Sequence, residues 1–337
     1  MRVRRLLPAL LLLTAEALLL SGCVTSRRDH DIASQFYDLG NAYVELGKYD
    51  KAVTEFQAAL NIDPGFVKAD YNLALAYAHA KRTADAIAIL KRLLISDPEN
   101  TQVLSALGWV YHLAARDDDA LAQYAMVVRL SPADLNALYN AGIILWKLKR
   151  PQEAMEKFTT LLAKAPDDTD ALYAAGSLLL SLDDAAGSAD MISRYLEKKP
   201  SDPEALFLFA AAAERQKKYA QAMAAYDKIT GIDASQGDAW FGEARLLLTV
   251  VEDPQRGLEA LRKALGAGFK DVKAVQALLD SPGLLERDKV EAALKERGLL
   301  PGQSPAAAPP APSGTPTFSG SDTKPPAGSD MKKAPPR

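Results

Sequence analysis

Few residues in this chain of 337 could do chemistry. The histidines are His30, His79 and His112, and the only cysteine is Cys23. A zinc site asks for several His, Cys or carboxylate ligands at close spacing. Neither His79 nor His112 has such a partner three or four residues away, so both read as half-exposed surface groups. Asp117-Asp118-Asp119 reads as a solvated turn, and Glu243 and Glu252 make no defensible carboxylate pair. A nucleophile elbow, a phosphate-binding loop and a Cys–His arrangement are all absent from the sequence. A single cysteine cannot form an internal disulfide. No catalytic residue, metal ligand or cofactor is expected, and the chain reads as a non-enzyme. What recurs instead is aromatic. Tyr37, Tyr71, Tyr139, Tyr173, Phe207 and Phe241 fall on one step of 34 residues, broken only at Ser105. Trp109, His112 and Trp146 flank the break. Rigid aromatics supply contact area at low entropy cost and concentrate at binding hot spots. The competing reading is packing within each repeat.

The elements that would position these side chains follow the same step. Pro64, Pro98, Pro132, Pro166 and Pro200 are each 34 apart, as are Gly40, Ala74, Gly108, Gly142 and Gly176. Tyr43, Tyr77, Tyr111, Leu145 and Leu179 keep phase, and so do Ala52, Ala86, Ala120, Ala154, Ser188 and Ala222. Each period holds two apolar runs at helical spacing, such as Phe36, Leu39, Tyr43 and then Val53, Phe56, Leu60. Small residues let the two helices approach, and the proline ends the second one. One hairpin cannot bury its apolar face alone, whereas stacked neighbours can.

This pattern resembles the tetratricopeptide repeat (TPR), a helix-turn-helix unit. The first copy matches the family pattern at Phe36, Leu39, Gly40, Tyr43, Ala52, Phe56, Ala59 and Pro64. The resemblance implies an all-α TPR solenoid, a right-handed superhelix of about seven repeats. The copies run 33–66, 67–100, 101–134, 135–168, 169–202 and 203–236, and a divergent copy at 237–270 slips after Val250. A helical cap is expected over 271–300, with Asp271 and Asp288 as helix caps and Gly298 as a stop. Residues 301–337 hold ten of the twenty prolines and are expected to form a disordered tail.

Residues 1–22 read as a signal peptide: Arg2, Arg4 and Arg5, then a leucine-rich stretch to Leu20. The stretch is short for a membrane span. Leu20-Ser21-Gly22-Cys23 resembles the bacterial lipobox, which implies lipidation of Cys23. Val24 after it implies sorting to the outer membrane. Residues 23–32 are then expected to be a short tether. Without residues 1–22 the chain keeps 37 basic and 42 acidic groups. A net charge near −5 lacks the positive field a nucleic-acid surface needs.

In the TPR family the first helices line a concave face. By that resemblance Tyr37, Tyr71, Trp109, His112, Tyr139, Trp146, Tyr173, Phe207 and Phe241 would form a partner-binding groove. Asn136, Asn140 and Lys147 would add hydrogen bonds. The carboxylate clamp of some relatives is matched only at Asn41 and Asn72, with Tyr37, Gln102 and Ala106 where basic residues belong. Two functions are therefore expected. One is a lipid-anchored scaffold of the cell envelope that holds a protein or peptide of an outer-membrane, pilus, secretion or cell-wall assembly. The other is a ligand-presenting subunit of a transport system.

Overall fold

The computed structural model describes residues 27–300, and every regular element in them is a helix. The first helices of the repeats are α1 (Arg27–Glu45), α3 (Val67–His79), α5 (Thr101–Leu113), α7 (Leu135–Lys147), α9 (Thr169–Ser181), α11 (Pro203–Arg215) and α13 (Gly237–Thr249). The second helices are α2 (Tyr49–Ile62), α4 (Thr83–Ser96), α6 (Asp117–Leu130), α8 (Pro151–Lys164), α10 (Ala185–Lys198), α12 (Tyr219–Ile232) and α14 (Pro254–Gly266). Two more, α15 (Val272–Leu279) and α16 (Arg287–Glu296), follow. Two compact units meet in sequence near the start of α7, between residues 137 and 138.

Each hairpin closes on a small residue. In the first unit, a Cβ built on Gly40 would lie 2.5 Å from the Phe56 ring, and one on Gly108 would lie 3.0 Å from Tyr124. In the second unit, Gly142 takes Phe158 at 2.6 Å and Gly176 takes Ile192 at 2.6 Å. Where the small residue is Ala74, the matching second-helix residue is the smaller Leu90. The sixth repeat differs. Ala210 fills the glycine position, and the Tyr226 ring lies instead over Gly242 of α13, 2.5 Å from where its Cβ would be.

The turn from first to second helix uses one left-handed residue. Gly47, Lys81, Ala115, Lys149, Asp183 and Lys217 have φ between 56° and 67° and keep the 34-residue step. Glu252 (φ 60°) comes one residue late, which is the physical form of the slip after Val250. In the first unit the next residue latches the turn. The Arg82 guanidinium lies 4.3 Å from the Tyr77 ring centroid, and its Nε donates to Asp85 at 2.9 Å. Arg116 repeats this on Tyr111 at 4.5 Å and Asp119 at 2.7 Å. At the other ends, Asn100, Asp134, Asp168 and Asp202 accept from backbone N–H groups of the first helical turn and so cap their helices.

In the second unit, Phe269, Val275, Leu278, Val290 and Leu294 join Phe241 and Leu261 in one core. Asp271 caps α15 through the N–H groups of Lys273 and Ala274. Helix α16 starts ahead of Asp288, after Glu286 in the left-handed region (φ 52°), which corrects the expected cap. Gly298 (φ 67°) follows its end. At the other terminus, residues 27–32 are helical where a tether was expected. His30 docks this extension: its Nδ1 lies 2.7 Å from Asp63 Oδ2, and its ring centroid is 4.9 Å from Phe66. The signal segment, Cys23 and the proline-rich tail lie outside the described residues. No described helix is long and apolar enough to cross a membrane.

Candidate interaction surface

The ladder positions place their rings against the second helix of the same hairpin. In the first unit, the Tyr37 centroid is 5.8 Å from Phe56 and 5.0 Å from Phe66. In the second unit, Tyr139 lies 6.1 Å from Phe158, Tyr173 lies 5.3 Å from Tyr195, and Phe207 meets Tyr226 edge-on at 6.0 Å. Phe241 stacks on Phe269 at 4.0 Å. The expectation that large aromatics stand exposed is corrected at five positions: Tyr71, Tyr139, Trp146 and Phe241 are each 4% exposed and Trp109 is 6% exposed. Tyr37, His112, Tyr173 and Phe207 remain half-buried. Neighbouring helices close over the former group, so much of the ladder is core.

The first unit holds a run the repeat pattern did not single out. Tyr49, at the start of α2, stacks on His79 of α3 at 4.6 Å with ring planes 12° apart. His79 in turn lies 5.0 Å from Trp109 of α5. Three rings from three consecutive repeats thus touch in sequence. Tyr49 and His79 are half-buried, so ring area stays open to a ligand. One helical turn beyond Trp109, His112 Nδ1 lies 2.5 Å from Asp117 Oδ1, which fixes the imidazole. Tyr49 and His79 hold different repeat positions, so no periodicity links them, although both stood in plain view as ring-bearing residues near helix ends.

A polar group borders the same unit. Asn72 Nδ2 donates to Asn41 Oδ1 at 2.8 Å and to the Tyr37 hydroxyl at 3.1 Å. The two clamp-like asparagines are thus hydrogen-bonded to each other. A shallow cavity of about 550 Å³ beside α1 is lined by His30, Tyr37, Phe66 and Lys68 among others. In the second unit, burial and the nearby carboxylates Glu204 and Asp202 push the Tyr173 hydroxyl well above its ordinary range, so it acts as a hydrogen-bonding group and not as an acid. Among the described residues, no group of three or more His, Cys, Asp or Glu is placed to hold a metal ion. Asn136 and Lys147 are exposed and Asn140 is buried.

Two tetratricopeptide-repeat family models match the chain, one over residues 37–101 and 105–169 and one over 145–213, together just over half its length. No curated protein matches it in sequence. Among solved structures it is similar to the C-terminal part of a TPR repeat-containing protein from Cytophaga hutchinsonii. The TM-score is 0.62 and the identity 15%, over 72% of this chain and 99% of that one. It is also similar to PilF of Pseudomonas aeruginosa, with a TM-score of 0.52 and 19% identity over 61% of this chain and 94% of that one. YrrB, described as a TPR protein with an unusual peptide-binding site, gives a TM-score of 0.51 and 21% identity over 56% and 96%. At these identities the likeness is one of fold.

Proposed function

The chain belongs to the tetratricopeptide-repeat family, and from that premise we propose that it is a lipid-anchored scaffold of the bacterial cell envelope that holds a protein or peptide partner. Tetratricopeptide arrays are interaction scaffolds, and a peptide-binding site is known in the similarly folded YrrB. The observation that carries the reading is the Tyr49–His79–Trp109 stack, three aromatic groups from three repeats in which Tyr49 and His79 keep exposed ring area over the buried Trp109. An extended segment laid across it would gain apolar contact from the rings and a hydrogen bond from His112, one helical turn beyond Trp109. The anchoring half of the reading rests on Leu20-Ser21-Gly22-Cys23, and the outer membrane is its proposed location through Val24.

One experiment tests both halves. The full chain is expressed in its own envelope, partners are cross-linked and recovered, and the native N-terminus is weighed. A diacyl or triacyl Cys23 is expected, and Cys23→Ser should leave the membrane fraction. The double substitution Tyr49→Ala with His79→Ala should weaken capture of the recovered partner by about tenfold or more while helicity is kept, as for loss of an interface hot spot. Equal capture by the folded double variant would move the site elsewhere.

A further inference from the structure

The Tyr49–His79 ring pair offers an aromatic patch, and the chain carries a segment of matching chemistry. The two rings stack with planes 12° apart and keep area open over the buried Trp109. The charged groups that follow each ring in sequence are already engaged. Lys51 lies over the Tyr43 ring, Arg82 meets Asp85, His112 meets Asp117, and Arg116 meets Asp119. What remains for a ligand is ring surface, with the Tyr49 hydroxyl as a donor. Proline-rich stretches suit that offer. They dock on aromatic-lined surfaces in a preformed polyproline conformation, and they present carbonyl acceptors with few N–H groups. Residues 301–321, which lie outside the described residues, hold six prolines from Pro301 to Pro316 and no charged side chain. Pro309 and Pro312 are three residues apart, one polyproline turn, so they share an edge. The charges of the remaining stretch, Asp322, Lys324, Asp330, Lys332, Lys333 and Arg337, all come later.

We propose that the ring pair is occupied by the proline-rich segment around Pro309–Pro312, delivered by a second copy of this chain. The inference rests on the stack being the interaction site proposed above. Delivery by a second copy follows from reach. The segment leaves the described residues at Leu300, just after α16, and α16 packs on α14 at the far end of the second unit. Residues 301–308 span about 25 Å at the polyproline rise of about 3.1 Å per residue. Within the second unit, the first helices from α13 back to α7 are three neighbour spacings apart, about 24–30 Å at about 8–10 Å each. The linker thus does no more than run the length of its own unit, and the stack belongs to the first. A strongly acidic or basic peptide fits the patch less well, since Arg82, Asp85, Arg116, Asp117 and Asp119 already have partners. A partner held at the stack then has to displace the segment of a neighbouring copy.

The test uses the full chain with a benzophenone photo-crosslinker in place of Ala311, between Pro310 and Pro312. In a mixture of isotope-labelled and unlabelled chains, irradiation should join position 311 of one copy to the stretch around Tyr49 or His79 of another. Pro309→Ala with Pro312→Ala should lower the yield by about tenfold or more, and so should Tyr49→Ala with His79→Ala at unchanged helicity. The same crosslinker in place of Gly328, in the charged stretch, sets the background. Adducts from position 311 no more frequent than that background, adducts on another surface, or adducts only within one chain overturn the proposal. The scaffold reading stands or falls on capture of a partner, whereas the cross-link needs no partner, so the two failures are told apart.

Discussion

Glu243 occupies the repeat position that Leu39, Leu73 and Leu107 fill in the first three copies and Phe209 fills in the sixth. It is 5% exposed, its Oε2 has no hydrogen-bond partner, and its Oε1 is 3.5 Å from Arg256. Burial, and then the Asp227 carboxylate, raise its pKa above the ordinary value, with Arg256 and Lys263 opposing. A carboxyl raised in the folded state contributes stability that is full below its unfolded value and is lost as pH rises through the folded one. Glu243→Gln should therefore stabilise the protein at neutral pH and gain less near pH 4. Denaturant melts at the two pH values check this, and a gain independent of pH would show that folding does not raise the carboxyl. The residue stands out in the sequence as the one charge in its column, so the strain was legible there. The burial of Trp109 and Trp146 was not. A repeat position says which way a side chain leaves its helix, whereas exposure depends on how far the neighbours close over it. The Tyr49–His79 contact escaped for a related reason: it joins residues of different repeat positions on different elements.

At the scale of the helical hairpin, the glycine facing the second-helix ring decides how closely two helices approach. Gly142→Ala raises helix propensity by roughly 1 kcal/mol, yet its Cβ would sit 2.6 Å from Phe158. Overpacking of a fixed core costs about 1–3 kcal/mol, so the substitution should lower the melting temperature. Pairing it with Phe158→Leu, the combination nature uses at Ala74 and Leu90, should recover part of the loss. Unchanged stability in the single variant would mean the hairpin opens freely. These elements were readable because the sequence repeats both halves of the fit at constant separation. The extra turns of α1 were not readable, because Arg27 to Ile32 are polar except at the end and have no counterpart in other copies. Their helical form rests on His30 meeting Asp63 and Phe66, a contact across 33 residues.

Over the whole molecule, the period delivers the architecture and its one defect. The left-handed turn residues keep step through Lys217 and then fall one residue late at Glu252, where the sequence pattern slips. A repeat array gains stability mainly from adjacent copies. Leu107, 2% exposed, should cost about 2–5 kcal/mol when replaced by alanine. Amide exchange should accelerate most in α3 to α6 and least in α13 to α16; uniform acceleration would contradict nearest-neighbour coupling. The fit of Tyr226 over Gly242 has a further bearing, on descent. Tandem genes lengthen and shorten by recombination between copies in phase. In most of this chain both halves of a fit lie inside one copy, so a duplicated or deleted copy takes its whole fit with it. Between Tyr226 and Gly242 a crossover would part the ring from the glycine it packs over. A recombinant that joins Tyr226 to a following copy without Gly242 should therefore melt at a lower temperature than one that keeps the last two copies together.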